Sequence, residues 1–119
     1  MSNTIAAIIL TKDEEKHIAR CIKSLKGVCE EVFVIDCFST DNTKSIAESL
    51  GAKVYQHPWK NYATQFNWGL HNCPITADWV WRIDADEYLD KGLGENVKKT
   101  INECSDDVNG IYVRKRIDF

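Results

Sequence analysis

The sequence predicts an α/β fold of three layers, a mostly parallel sheet with helices on both faces. Three observations carry this. Apolar runs alternate with helical patterns four times, and a fifth run closes the chain. Strand–helix alternation of this kind specifies a parallel sheet with crossover helices. The first run, residues 5–10, is continuously apolar, and residues 32–35 repeat the pattern, as strands buried on both faces do. Polar residues, Thr11, Asp36 and Asp84, close three of the runs, and the carboxyl edge of an open α/β sheet is where ligands bind.

Taken in order, the first strand ends at Thr11. Asp13, Glu14 and Glu15 are expected to open the first helix, with acids where the macrodipole favours them. Ile18, Ile22 and Leu25 form its apolar stripe and Gly27 its stop. The second strand runs into Asp36. Ser39-Thr40-Asp41-Asn42-Thr43 is rich in capping residues and opens a second helix that carries Ile46, Ala47 and Leu50 and ends at Gly51. Lys53-Val54-Tyr55 is a short third strand, and Pro58 breaks the chain. Tyr62, Phe66 and Leu70, spaced i, i+4, i+8, predict a helix over 62–71 with its exit at Pro74. Trp79-Val80-Trp81-Arg82-Ile83 is a strand that ends in Asp84-Ala85-Asp86-Glu87. Leu93, Val97, Ile101 and Cys104 predict a fourth helix, and residues 111–117 a last strand with a basic tract. With no repeat, low-complexity segment or linker, residues 1–119 read as one unit.

Composition narrows the function classes. A chain of 119 residues that is 44% apolar and 28% charged is an ordinary globular domain or part of one. A net charge of −3 argues mildly against a nucleic-acid surface. No apolar stretch is long enough to span a bilayer and no leader pattern precedes the first strand. A cytoplasmic protein is the expectation, with peripheral attachment to the inner membrane left open. The five cysteines, Cys21, Cys29, Cys37, Cys73 and Cys104, have irregular spacing and no Cys-x-x-Cys, which fits reduced thiols. His71 and Cys73 lack a second ligand pair for zinc.

The acids at the end of the fourth strand are the chemical signal. Ionised carboxylates are rarely buried unless paired or bound to a metal. Asp84 and Asp86 are hard oxygen ligands that suit Mg²⁺ or Mn²⁺ carrying a phosphate. Read singly, the pair is a solvated acidic turn, and Thr11 and Asp36 are caps. No glycine-rich phosphate loop follows the first strand, so a phosphate here would be held through a metal. Trp79 and Trp81 lie in a strand and read as core. Trp59 and Trp68 stay open between core packing and stacking on a sugar. His57, before Pro58, reads as a loop residue, Arg82 as a partner of the local acids, and Arg114, Lys115 and Arg116 alternate between the faces of their strand.

Four segments in order carry a family resemblance: residues 8–15, ILTKDEE preceded by Ile; residues 34–43, VIDCFSTDNT; Asn67-Trp68-Gly69-Leu70; and Asp84-Ala85-Asp86. Together they resemble the motifs of family 2 glycosyltransferases, inverting enzymes with the GT-A fold, whose Rossmann-like half the chain would form. Phe38-Ser39 and residues 113–119 look most like the bacterial branch that builds lipopolysaccharide core and related surface glycans. The resemblance implies a nucleotide-diphosphate sugar donor, UDP-sugar first, a divalent cation, Mg²⁺ or Mn²⁺, and a glycan or lipid-linked acceptor. It implies that Thr11 and Glu14 line the nucleotide pocket, that Asp36 accepts from the uracil ring, that Asp84 lies near ribose and metal, and that Asp86 ligates the metal.

Three positions depart from the family pattern. Asp13 stands where Asn is common, Cys37 where a second Asp is common, and Phe66, after Gln65, where Arg is common. The family's general base lies well downstream of the acidic pair, so it is expected beyond Phe119. Residues 1–119 are then expected to be the donor-binding part of a longer enzyme, lacking the acceptor-binding part, inactive in transfer alone and able to self-associate through an exposed sheet edge. Two other readings fit less. A nucleotidyltransferase would carry glycines in its first loop, where Lys12-Asp13-Glu14-Glu15 has none. A receiver-like Mg²⁺-binding module would place its acidic pair directly after the first strand and an isolated Lys after the fifth, and neither is present in that form.

Overall fold

The computed structural model describes residues 4–90 together with 92, 94–97 and 99. Four strands and three helices alternate: β1 (Ile5–Thr11), α1 (Ile18–Ser24), β2 (Glu31–Asp36), α2 (Thr43–Ser49), β3 (Lys53–Gln56), α3 (Tyr62–Asn72) and β4 (Trp79–Asp84). The strands form one sheet in the order β3-β2-β1-β4. All three pairings are parallel, as alternation required. Residues 92, 94–97 and 99 are helical, in line with the fourth helix. Ile101, Cys104 and the last strand, with Arg114, Lys115 and Arg116, lie outside the described residues.

The apolar runs of β1 and β2 serve two cores. Side chains alternate across a strand, so Ala7, Ile9 and Val34 face one way, with Trp81 and Ile83 of β4, against Ile18, Cys21, Ile22 and Leu25 of α1 and Ala47 of α2. Ala6, Ile8, Leu10, Phe33 and Ile35 face the other way, where Phe66 and Trp68 of α3 pack on them. This is the expected three-layer arrangement. The expectation that Trp79 and Trp81 are core residues also holds: Trp81 is buried and Trp79 packs on the same cluster. Among the described residues no disulfide joins Cys21, Cys29, Cys37 or Cys73, and burial pushes the Cys73 thiol up to about 11.

Helix α3 approaches the sheet at Gly69. A Cβ there would stand 3.1 Å from Ile35 Cγ1 and 3.5 Å from Ile8 Cγ2. The helix starts at Asn61, whose side chain accepts from the Thr64 N–H, and its placement aims Tyr62 at the carboxyl edge. A branched side chain at Gly69 should lift α3 off Ile8 and Ile35. We expect Gly69→Val to cost about 1–3 kcal/mol, the usual range for overpacking, read as a lowered midpoint in thermal and urea unfolding.

The first helix begins later than expected, at Ile18 rather than Asp13. The backbone turns at Asp13, where φ is +51°, and the N–H groups of residues 13–15 are used elsewhere. Asp13 N–H donates to Ser39 Oγ at 2.8 Å, Glu14 N–H to Thr43 Oγ1 at 2.8 Å and Glu15 N–H to Asp41 Oδ2 at 3.2 Å. In return, Asp13 Oδ1 accepts from Thr40 N–H at 2.7 Å and Glu15 Oε2 from Asn42 N–H at 3.0 Å. The acids thus bind the β2–α2 loop instead of charging a helix start, since they find five loop partners that a frayed first turn would leave to water.

Asp36 ties this loop pair to the sheet. It is fully buried. It accepts from Thr11 Oγ1 on β1 at 2.6 Å, from Ser39 N–H at 2.8 Å, from the Ser39 hydroxyl, and from Gln56 Nε2 on β3 at 3.3 Å. Burial works to raise its pKa, but the bonds from Ser39, Thr11 and Gln56 prevail and hold the carboxyl below its ordinary value. A carboxyl depressed on folding stabilises the fold above its unfolded value, about 3.9, and the benefit fades as pH falls through the lower folded value. Asp36→Asn would turn an amide donor toward Ser39 N–H or Thr11 Oγ1. We expect it to lose about 1–3 kcal/mol at neutral pH, and the gap from the parent to narrow below about pH 4, in denaturant titrations across pH 3–7.

Candidate functional site

The carboxyl edge of the sheet opens into a cleft of about 360 Å³. Leu10, Thr11, Lys12 and Glu14 form one side, at the end of β1 and in the turn after it. Cys37 follows β2, and Trp59 and Tyr62 close the far side. The two aromatic rings meet edge to face, 4.8 Å apart, and the Arg82 guanidinium lies 6.0 Å from the Tyr62 ring centre. Lys12 Nζ donates to Phe38 O at 3.0 Å, so this cation spans the two loops. Glu14 Oε2 is 3.0 Å from His17 Nδ1. Phe38, in the left-handed region at φ +49° and exposed, keeps the β2–α2 loop turned outward beside Cys37.

The acidic group stands next to the cleft. In the β1–β4 ladder Leu10 pairs with Asp84, and Leu10 lines the cleft. Carboxylate oxygens of Asp84, Asp86 and Glu87 all lie within 4.8 Å of one another. Asp86 is exposed, Asp84 half-buried and Glu87 buried. Three hard oxygen donors converging at an open strand end fit Mg²⁺ or Mn²⁺, ions that take oxygen ligands and keep some of their waters. Helix α1 supports this segment: Arg20 Nη2 donates to Asp86 O at 3.3 Å and Arg20 Cζ lies 4.3 Å from the Tyr88 ring centre, while Ser24 Oγ accepts from Leu89 N–H at 3.0 Å.

Most residues singled out from sequence meet here. Thr11 and Glu14 line the cleft, and Asp84 and Asp86 stand beside it. Asp36 is placed more deeply. It has no exposed surface and already serves four hydrogen bonds, so it lies beneath the cleft rather than in its wall. A uracil N–H would have to displace one of those donors. The wall position belongs to its neighbour Cys37. Trp59 lines the cleft, whereas Trp68 stacks on His57 with ring centres 4.5 Å apart. His57 is a loop residue, as expected, and exchanges two bonds with buried Gln65, through Nδ1 at 2.8 Å and its carbonyl at 3.0 Å. Gln65, beside the position where the family commonly has Arg, is therefore committed to holding the β3–α3 loop. Sequence reasoning missed Lys12, Cys37 and Tyr62 as cleft residues. Cys37 and Lys12 each directly follow a strand end, and that adjacency was the available signal. Tyr62 was read only as part of an apolar helix face.

Comparison with known proteins agrees with this geometry. The family model described as glycosyl transferase family 2 matches residues 6–118. A protein of Rickettsia conorii described as an uncharacterized glycosyltransferase is 44% identical over 98 residues, covering 82% of this chain and 34% of its own length. A lipopolysaccharide core biosynthesis glycosyltransferase of Rhizobium meliloti is 33% identical over 117 residues, covering 94% of this chain and 42% of its own. Among solved structures, glucosyl-3-phosphoglycerate synthase of Mycobacterium tuberculosis, in complex with Mn²⁺, UDP and glucosyl-3-phosphoglycerate, superposes with a TM-score of 0.59 at 26% identity, covering 71% of this chain and 34% of that one. Mannosyl-3-phosphoglycerate synthase of Rubrobacter xylanophilus superposes at 0.71 with 21% identity, covering 85% and 36%, and shows the shared fold. The chain spans about a third of the Rickettsia relative's length. With the family model covering nearly every residue, this chain belongs to glycosyl transferase family 2.

Proposed function

We propose that residues 1–119 are the donor-binding part of an inverting glycosyltransferase that takes a UDP-sugar with Mg²⁺ or Mn²⁺. The acceptor in this reading is a glycan or lipid-linked sugar of lipopolysaccharide or a related surface polysaccharide. The observation that carries it is the acidic group one ladder position from a cleft of nucleoside size. Support comes from the Mycobacterium tuberculosis protein, solved with Mn²⁺ and UDP, and from the Rhizobium meliloti relative, described by its role in lipopolysaccharide core biosynthesis.

The chain's own residues divide the work. The base enters between the Thr11–Glu14 turn and Cys37, with Trp59 and Tyr62 as the opposite wall. A thiol accepts hydrogen bonds weakly, so Cys37 supplies shape more than polarity to the base. Asp36 acts from below, fixing Thr11 and Ser39 and through them the level at which Cys37 stands. Asp84 and Asp86 would hold the cation. When bound, that cation supplies Lewis-acid stabilisation of the leaving nucleoside diphosphate. Without it, a diphosphate meets three carboxylates in a chain that is already net negative.

Metal dependence is the test. Calorimetry with UDP should show binding at least about tenfold tighter with Mn²⁺ than with EDTA, a difference of about 1.4 kcal/mol. Asp84→Asn and Asp86→Asn should each weaken binding in Mn²⁺ and leave the metal-free value nearly unchanged or slightly improved. Equal UDP affinity with and without Mn²⁺ in the parent chain removes the metal role from this acidic group.

A further inference from the structure

Strand β4 carries a cation that the fold does not use. Trp81 and Ile83 point into the core shared with α1, so alternation turns Arg82 to the other face of the sheet, where α3 packs. There Arg82 Cζ lies 6.0 Å from the Tyr62 ring centre, at the outer limit of a cation–π contact. Among the described residues no carboxylate pairs with it, so the partnership with local acids expected from sequence is not made. Two other cations close by are engaged. Lys12 Nζ donates to Phe38 O and stands 4.0 Å from Asp13 Oδ2, and Arg20 Nη2 donates to Asp86 O. The ladder fixes where Arg82 stands. It pairs with Ile8 of β1, and the next residue of β1 on that face is Leu10, which lines the cleft. Arg82 therefore starts one strand repeat, about 7 Å, behind the cleft, and its exposed side chain lies by the aromatic ring that walls it.

We propose that Arg82 binds the phosphate groups of the nucleotide seated in the cleft; this rests on the reading of the cleft as a site for a nucleotide-diphosphate sugar. Leu10, Trp59 and Tyr62 offer apolar surface that suits a flat base, which leaves the phosphates at the rim. A diphosphate brought there meets a chain that is already net negative, so a positive donor at the rim is needed to hold it. A guanidinium presents five N–H groups in a planar fork that matches phosphate oxygens two at a time. The contact with Tyr62 steadies the charge through the ring face and leaves those N–H groups open. With no carboxylate partner among the described residues, Arg82 gives up no ion pair when a phosphate arrives.

The test titrates uridine and UDP, each with Mn²⁺ present, into the 119-residue chain and its Arg82→Ala, Arg82→Lys and Lys26→Ala variants, followed by calorimetry and by NMR shifts. Arg82→Ala should weaken UDP about 10–100-fold, the value of a charged hydrogen bond or two, and leave uridine within about twofold of the parent. Arg82→Lys keeps the charge without the fork and should recover part of the loss. Lys26→Ala makes the same change of net charge at an exposed position after α1 and should bind UDP within about twofold of the parent. Parent-like UDP affinity in Arg82→Ala overturns the proposal. Equal losses for uridine and UDP also overturn it, because Arg82 would then act on the base or on the shape of the cleft. So does a loss in Lys26→Ala as large as that in Arg82→Ala, which would make net charge the cause. If Arg82→Ala does not fold, Arg82→Gln, which keeps most of the stem, takes its place with the same expected and overturning results. Failure of the nucleotide reading looks different: the parent chain would then bind neither uridine nor UDP, and the proposal would fall with it.

Discussion

A single buried carboxylate organises the ligand-binding edge. Asp36 draws a hydroxyl from β1, an amide from β3, and both an N–H and a hydroxyl from the β2–α2 loop. Its four acceptor sites suit this role, and no neutral side chain of its size could receive all four donors. The loops that shape the cleft are then built outward from it. Ser39, fixed by Asp36, receives the Asp13 N–H. Thr43 and Asp41 extend the same seam to Glu14 and Glu15. The cleft is thus a consequence of hydrogen-bond completion at the sheet edge, with the left-handed turns at Asp13 and Phe38 as its conformational cost.

The same edge holds carboxylates in two opposite electrostatic conditions. Asp36 is satisfied by neutral donors, and its charge is fully absorbed by the protein. Asp84, Asp86 and Glu87 crowd within 4.8 Å, and the turn that carries them is ordered by the Glu87 bond to the Asp84 N–H and by Arg20. One group builds the fold, and the other concentrates negative charge at a strand end. At the far, amino-terminal edge the acids follow the first pattern: Glu30 accepts from Ile5 N–H, and Glu31 from Thr76 and Ala77 N–H. Acidic residues in this chain are therefore not interchangeable signals, and what separates them is whether they gather donors of the fold or crowd with like charge.

That distinction explains what sequence could and could not reveal. The sheet was legible because continuous apolar runs in β1 and β2 have few alternatives, and the parallel pairing followed from alternation with helices. The acidic group was legible because Asp-x-Asp directly follows a strand. The start of α1 was not, because Asp13-Glu14-Glu15 is as good a helix opening as it is a loop clasp, and only the tertiary partners Ser39, Asp41 and Thr43 decide between them. The full burial of Asp36 was hidden for a similar reason, since sequence does not say which side of a strand end is filled with protein. Trp59 and Trp68 were indistinguishable until the path of the β3–α3 loop put one at the cleft and the other on His57.

The position of β1 sets the mechanical character of the cleft. It is paired on both sides, as β2 also is, and all seven of its residues are buried. Its amides should be among the last to exchange with solvent. The opposite wall is made of Trp59 and Tyr62, both largely exposed, on a loop and at the first turn of α3. The cleft therefore has one fixed jaw and one compliant jaw. Thr11 belongs to the fixed jaw, so adjustment to ligands of different bulk falls to the aromatic pair, which can tilt without opening a single ladder of the sheet.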